Sequence, residues 1–355
     1  MIFKNYKESF KEESDIRRNI DFPKLCTYGI KPLDDSMLAI ARNELIVVAA
    51  GSGYGKTEAA LHISRHNALN GKKVAHYNLE GGSLEVTQRM KWKDMVSAYF
   101  AEYSSLGVDL DYRSWMLNKT QEPIFNNLEA AVYNDLQSKI GENLYLYDSQ
   151  EGLDCDKFCR SLVDLEGLKC DRMLDRTLRR HFKGLVDLDL IVIDHLHYFS
   201  LTKDENEIRE ITEILKTAKT ITEEMNIPII LVAHLRKLLR GHGIPDKEDI
   251  YGTSNIHKIA NTCIIIAPDH ENDDLRNGVY PTFFRVAKSR QGLRPNILIN
   301  CNFNVHTRCY EDQYTLRKCY PDGTLANGEI PYIECPKWYK GRKIEEIKNE
   351  RNIYG

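Results

Sequence analysis

The chain has 355 residues and a mass of 41.1 kDa; 42% of the residues are hydrophobic, 9% aromatic and 28% charged. Such a composition can bury one large core or two small ones, and it excludes wholesale disorder. Forty-nine Lys and Arg stand against 52 Asp and Glu, a net charge of −3 with a pI near 6.4, so a uniformly basic coat is excluded and any polyanion must be met by a local patch.

No apolar run approaches the roughly 18 to 20 residues needed to cross a bilayer, and no apolar core precedes the charges of the N-terminal MIFKNYKESFKEESD. Membrane attachment and an export signal are therefore not expected. The nine cysteines form no CxxC pair. Cys155 and Cys159 are spaced to share a helix face, whereas Cys301, Cys309, Cys319 and Cys335 lack the short ligand hooks that structural zinc prefers. Unpaired cysteines of this kind suit the reducing cytoplasm or a comparable compartment.

In chain order, residues 1–26 form a charged segment with Tyr6/Phe10 and Ile16/Ile20 at helical i,i+4 spacing, closed by Pro23. A series of short aliphatic runs follows: Leu45–Ala49, Val74–Leu79, Leu144–Tyr147, Leu190–Ile193, Ile229–Ala233 and Cys263–Ala267. Continuous apolar runs of this length are characteristic of strands buried on both faces. Between them lie helix-like stretches at Thr57–Leu69, Leu84–Tyr103, Pro123–Ser138, Asp154–Val163 and Glu205–Met225. The alternation predicts an α/β fold, a mostly parallel sheet with helices on both faces. After Pro281, Thr282–Ala287 and Ile297–Asn302 predict an antiparallel hairpin on the sheet edge. The domain is expected to span residues 27–304, followed by a 305–355 extension whose tail carries six Lys/Arg against three Glu over 336–355.

The first strand runs into Ala50-Gly51-Ser52-Gly53-Tyr54-Gly55-Lys56-Thr57, the P-loop pattern with Ala in place of the leading Gly. Backbone N–H groups of Gly51, Ser52, Gly53, Tyr54 and Gly55 can curl around phosphates, with Lys56 on the β/γ-phosphates and the Thr57 hydroxyl on magnesium. A second magnesium-side acid belongs at the end of a neighbouring buried strand, and Asp194 closes Leu190-Ile191-Val192-Ile193. A turn or helix-capping Asp is the plainer alternative. His195, not Glu, follows it, so a hydrolytic base must come from elsewhere. Glu80, at the end of the second strand, can orient the attacking water, although it also reads as a helix-start carboxylate. His234 ends another strand, as a γ-phosphate sensor or an ordinary turn histidine. Lys288 and Arg290 alternate on one strand and face the same way, as cations for a neighbouring subunit's phosphate or as a solvated basic edge.

Taken in order, these residues resemble the DnaB-type hexameric replicative helicases, which are RecA-like P-loop ATPases, and within them the helicase half of phage primase-helicases and Twinkle. The resemblance covers about 27–304. It rests on Tyr28-Gly29-Ile30 with Leu33-Asp34, the P-loop, Asn78-Leu79-Glu80, Asn143 to Ser149, Ile191 to Leu196, Val232 to Lys237, Tyr251-Gly252-Thr253-Ser254 and Lys288-Ser289-Arg290. It implies that Glu80 is the base, that His234 couples nucleotide state to DNA, and that Lys288 and Arg290 complete the adjacent subunit's site. It further implies that the loop after His234 grips single-stranded DNA through Arg236, Lys237 and Arg240. The implied activity is magnesium-ATP-driven strand separation in replication by a hexameric ring, with any primase or loader as a separate chain. The glycine pair usual in the family's lead-in is missing, and no primase domain precedes residue 27. A RecA/RadA-like recombination ATPase and an ATP-gated switch without unwinding activity share the same core.

Overall fold

The computed structural model describes residues 5–102, 111–119, 123–148, 152–164, 188–199, 207–236, 243–252, 255–268, 278–290, 297–320, 323–325, 327–328 and 330–332. Lys237, Arg240, Ser149, Thr253, Ser254, Cys170, Cys335 and the basic tail lie outside these residues.

Each aliphatic run is a strand: β1 (Leu45–Ala50), β2 (Val74–Asn78), β3 (Leu144–Tyr147), β4 (Leu190–Asp194), β5 (Ile229–His234) and β6 (Thr262–Pro268). The intervening helices are α3 (Lys56–Leu69), α4 (Gly82–Glu102), α5 (Tyr112–Met116), α6 (Pro123–Lys139), α7 (Cys155–Asp164), α8 (Glu207–Met225) and the short α9 (Asn255–Ile259). Before them come α1 (Tyr6–Arg18) and α2 (Lys31–Met37). β7 (Val279–Ser289), β8 (Ile297–Asn304), β9 (Cys309–Lys318) and β10 (Ile330–Pro331) complete one sheet in the order β10-β9-β8-β7-β6-β1-β5-β4-β2-β3. From β6 to β3 the neighbours are parallel, and from β6 outward to β10 they are antiparallel.

Period-two alternation explains why the parallel strands read as unbroken apolar runs. Ile46, Val48, Val192, Ile230 and Val232 pack on one face with the Ala59–Ile63 stretch of α3, while Leu45, Val47, Ile193, Leu231 and Ile265 pack on the other with Ile211 and Leu215 of α8. Each strand thus feeds two cores. A third, smaller core joins α4, α5 and α6 around Trp92, Met95 and Leu128.

The antiparallel part is larger than the sequence suggests. Instead of a two-strand hairpin ending near residue 302, four antiparallel strands follow β6, and β9 pairs with β8 beyond residue 304. The polar composition of β9, CYEDQYTLRK, hides it: it lies toward the outer edge, where only Tyr310 is fully covered and charged residues face water. Pro281 falls inside β7, opposite Asn302, just past the Pro268↔Thr282 pair that ends the β6 ladder. A missing N–H is tolerated where the strand has a partner on only one side.

The lead-in Tyr28-Gly29 to Asp34 is a turn in which the Asp34 carboxylate accepts from the backbone N–H of Tyr28 (2.6 Å) and Gly29 (2.9 Å). The predicted N-terminal helix is present as α1, capped by Asn5, whose side chain accepts from Glu8 N at 2.9 Å. It buries none of its residues, and Tyr6, Phe10 and Ile16 are exposed. No described helix is long and apolar enough to cross a membrane.

One buried charge ties the antiparallel strands to the first helix after the phosphate loop. Glu58, in the first turn of α3, meets Arg89 Nη1 and Lys93 Nζ of α4 at 2.7 Å each, and Arg308 Nη2 of the β8–β9 turn at 2.5 Å. Burial alone would push the Glu58 carboxyl up; Lys93, Arg308 and Arg89 outweigh it and hold the group at about 2. A folded value below the ordinary 4.5 contributes stability that is complete above pH 4.5 and is lost as pH falls toward 2. Glu58→Gln should lower stability at pH 7 by about 3 kcal/mol or more, because it leaves three cations around an uncharged partner. Urea titrations at pH 7 and pH 3.5 check this, with the gap between variant and wild type expected to narrow at the lower pH.

Candidate functional site

The alternate residues that face α3 continue, strand by strand, to the C-terminal edge of the parallel sheet. There the series 46-48-50 ends at the phosphate loop, 190-192-194 at Asp194, 230-232-234 at His234, and 74-76-78 at Asn78, two residues before Glu80. Register locks these ends together: Ala50 pairs with His234, and Asn78 with Asp194, whose carbonyl also accepts from Leu79 N at 2.7 Å. This edge is where ligands bind in open α/β sheets.

Residues 51–55 form the loop, with Gly53 and Gly55 at φ +82° and +77°, backbone that only glycine adopts freely. Gly55 precedes α3 without a side-chain cap, so the first N–H groups of the helix keep their donors for an anion. Ser52 and Tyr54 are exposed, Gly51 half-buried, and Lys56 buried at the start of α3 with Thr57 beside it. Asp194 is fully buried, and neither carboxylate oxygen has a partner of full hydrogen-bond geometry. Burial pushes its carboxyl up to about 6, against the pull of the Thr57 hydroxyl and the Lys56 ammonium.

A carboxylate left open at a phosphate loop, with a threonine hydroxyl beside it, offers the hard oxygen donors that magnesium takes alongside phosphate oxygens and water. The described residues contain no group of three or more His, Cys, Asp or Glu placed to hold a metal. Thr57 and Asp194 are the residues that would hold magnesium.

Glu80 is half-exposed at the mouth, with Oε2 3.5 Å from His195 Nε2. Burial, then His234 and Lys56, push the His195 imidazole down to about 3, so it is uncharged at neutral pH and contacts Glu80 as a neutral ring. His234 lies edge-on to it, centroids 4.4 Å apart, and is pushed down to about 4 by burial and by Lys56. His197 joins them at 5.7 Å from His195 and 5.5 Å from His234. The sequence singles out His234 but not this three-imidazole cluster. Its only advance signal is the His195-Leu196-His197 alternation directly after a buried strand.

Lys288 and Arg290 are brought together, as their alternation predicts, though on a partner within the chain. Lys288 Nζ donates to the carbonyls of His257 and Ala260, the latter at 2.6 Å, and Arg290 Nη2 donates to that of Lys258 at 2.9 Å. Both cations thus close the carbonyl end of α9. Lys288 is half-buried there, whereas Arg290 remains exposed. Arg236 is exposed at the root of the loop after β5, with its N–H on Asp249 O at 2.8 Å.

Residues 157–312 match the family model for the DnaB-like helicase C terminal domain, a span that includes Asp194, His234, Lys288 and Arg290. The chain is similar to the DnaB-like helicases. It is 24% identical over 275 residues to the replicative DNA helicase DnaB of Rickettsia typhi, covering 73% of this chain and 48% of that one. It spans about half the length of the curated relatives it matches, 48%, 57% and 49% of three DnaB proteins. A solved ATPase domain superposes with a TM-score of 0.66 at 14% identity, covering 87% of this chain and 99% of that one. A DnaB-like replicative helicase, solved for its interactions with primase, superposes at 0.61 with 13% identity, covering 92% and 67% respectively. The fold is therefore the RecA-like α/β ATPase fold with an antiparallel extension, as the order of motifs implies.

Two substitutions separate the loop from the metal side of this site. Lys56→Ala should weaken binding of a fluorescent ATP analogue about tenfold or more, with or without magnesium, through loss of charge-assisted hydrogen bonds. Asp194→Asn should leave the magnesium-free affinity near wild type and remove the tightening that magnesium brings. Equilibrium titrations of both variants check the pair.

Proposed function

We propose that the chain is a magnesium-dependent nucleoside-triphosphate-driven motor of the DnaB type, which assembles as a hexameric ring and separates DNA strands by moving along single-stranded DNA during replication. The observation that carries this reading is the shared sheet edge, where strand register gathers Lys56, Thr57, Asp194, Glu80 and His234 around one anion-binding loop. The family match and the RecA-like fold support it.

In this mechanism the loop amides of 51–55 and the Lys56 ammonium hold the β/γ-phosphates. Thr57 and Asp194 would hold a magnesium ion, whose chemistry would be neutralisation of phosphate charge. Glu80, reachable from solvent, accepts the proton of the attacking water, and neutral His195 at 3.5 Å limits where its carboxylate points. His234 touches His195 and lies two residues before Arg236, so a change at the γ-phosphate can be passed to the start of the loop whose cations would grip DNA. Arg290, exposed one residue past β7 and donating to the Lys258 carbonyl, is the group that reaches a neighbouring subunit's phosphate, while Lys288, on two carbonyls, braces the end of β7. A primase or loader on a separate chain is the partner this reading allows, and a DnaB-like helicase solved for its interactions with primase supports the former.

A forked-DNA assay run with ATP hydrolysis and mass measurement tests the function. Wild type should form a hexamer, hydrolyse ATP faster with single-stranded DNA and separate the fork. Glu80→Gln should bind ATP but lose hydrolysis by about 10²-fold or more. Hydrolysis with no strand separation would replace the helicase by an ATP-gated switch. For the subunit interface, Arg290→Ala chains mixed into wild type should depress hydrolysis more than in proportion to their fraction. A linear decline would show that Arg290 does not act across subunits.

A further inference from the structure

Two exposed aromatic rings flank the imidazole cluster. Tyr198, in the short turn Leu196–Tyr198 that follows β4, is 46% exposed, and Tyr251, which closes the loop after β5, is 43% exposed. Singly scattered surface aromatics need no explanation, but these two are fixed in place. Tyr198 stands edge-on to His195, with centroids 4.6 Å apart and planes at 85°. Tyr251 lies 5.2 Å from His197, and its backbone N–H donates to His234 O at 2.8 Å. The loop between β5 and Tyr251 is pinched at its root by the Leu235↔Ile250 bridge and by Arg236 N on Asp249 O. That pinch sets the exposed Arg236 on one strand of the root and Tyr251 on the other.

Phosphates take cations and bases take flat rings, and a surface that offers both side by side is how sequence-tolerant single-strand binding is built. Cations alone would grip any polyanion. Half-exposed tyrosines held against imidazoles add a preorganised π-face, with little side-chain entropy left to lose on binding.

We infer that Tyr198 and Tyr251 form a base-stacking site for single-stranded nucleic acid near Arg236, at the root of the loop after His234. The inference rests on the single-strand motor reading and deepens it, because it assigns the bases, and not only the phosphates, a binding surface. It also gives the nucleotide site a direct mechanical neighbour. The ring that would carry a base touches His197, which touches His234, which touches His195 beside Glu80.

The test compares an oligothymidylate with an abasic phosphodiester strand of equal length and charge, each fluorescently labelled, by anisotropy at one salt concentration. Wild type should bind the oligothymidylate about tenfold tighter than the abasic strand. Tyr198→Ala with Tyr251→Ala should erase that preference while leaving abasic-strand affinity unchanged, and circular dichroism with thermal midpoints shows that the variant is folded. Tyr251→Trp should keep the preference and show tryptophan quenching by the oligothymidylate but not by the abasic strand. Equal wild-type affinity for the two strands, or a full preference retained by the double variant, overturns the stacking site while leaving a phosphate-gripping motor intact. Failure of wild type to bind either strand overturns both the site and the motor reading beneath it.

Discussion

The register of the parallel strands is the constraint on which the site depends. Asn78 pairs with Asp194 and Ala50 with His234, and because side chains alternate, a slip of one residue would turn Asp194 away from α3 and into the opposite core. The Thr57 hydroxyl and the Lys56 ammonium pull on that carboxylate but do not set the register. The lock comes from burial on both faces: every strand residue from Leu45 to Ala50 and from Leu190 to Asp194 is buried, so a slipped strand would mismatch two cores at once. Precision at the site is a by-product of filling the sheet.

Desolvation acts on the acid and the imidazoles at this edge, with a sign set by their chemistry. It pushes the Asp194 carboxyl up and the His195, His197 and His234 imidazoles down. The cluster therefore enters neutral pH with uncharged rings, and the buried Lys56 adds to the reasons they stay so. An uncharged cluster does not compete with the loop amides and Lys56 for an anion, and in the proposed motor it would couple by contact instead of by proton. The same physics explains why Glu58 is met by three cations: a carboxylate in that position has no other way to remain ionised.

Much of this was legible in the sequence because it was written in local patterns. The glycines at 53 and 55 needed positive φ, the six aliphatic runs needed two covered faces, and the acids at strand ends announced themselves by position. What was hidden lay in contacts between distant segments. β9 carries too many charges to look like a strand until β8 is beside it. His197 meets His234 and Tyr251 only when β4 and β5 lie side by side. Lys288 lies in β7 and Arg290 one residue beyond it, not both in the strand as expected, and their carbonyl partners at the end of α9 come from 28 to 32 residues away and have no sequence signature.

The Glu58 cluster bears on how the chain is made. Its carboxylate and its last cation, Arg308, are separated by 250 residues, so during synthesis the helix that begins at Lys56 emerges long before the group that completes its neutralisation. Until β8 and β9 arrive, the base of that helix must stay hydrated or lean on Arg89 and Lys93 alone, and the anion-binding loop sits on an unfinished foundation. A nascent chain would then acquire a firm base for that helix only once β8 and β9 have emerged and paired.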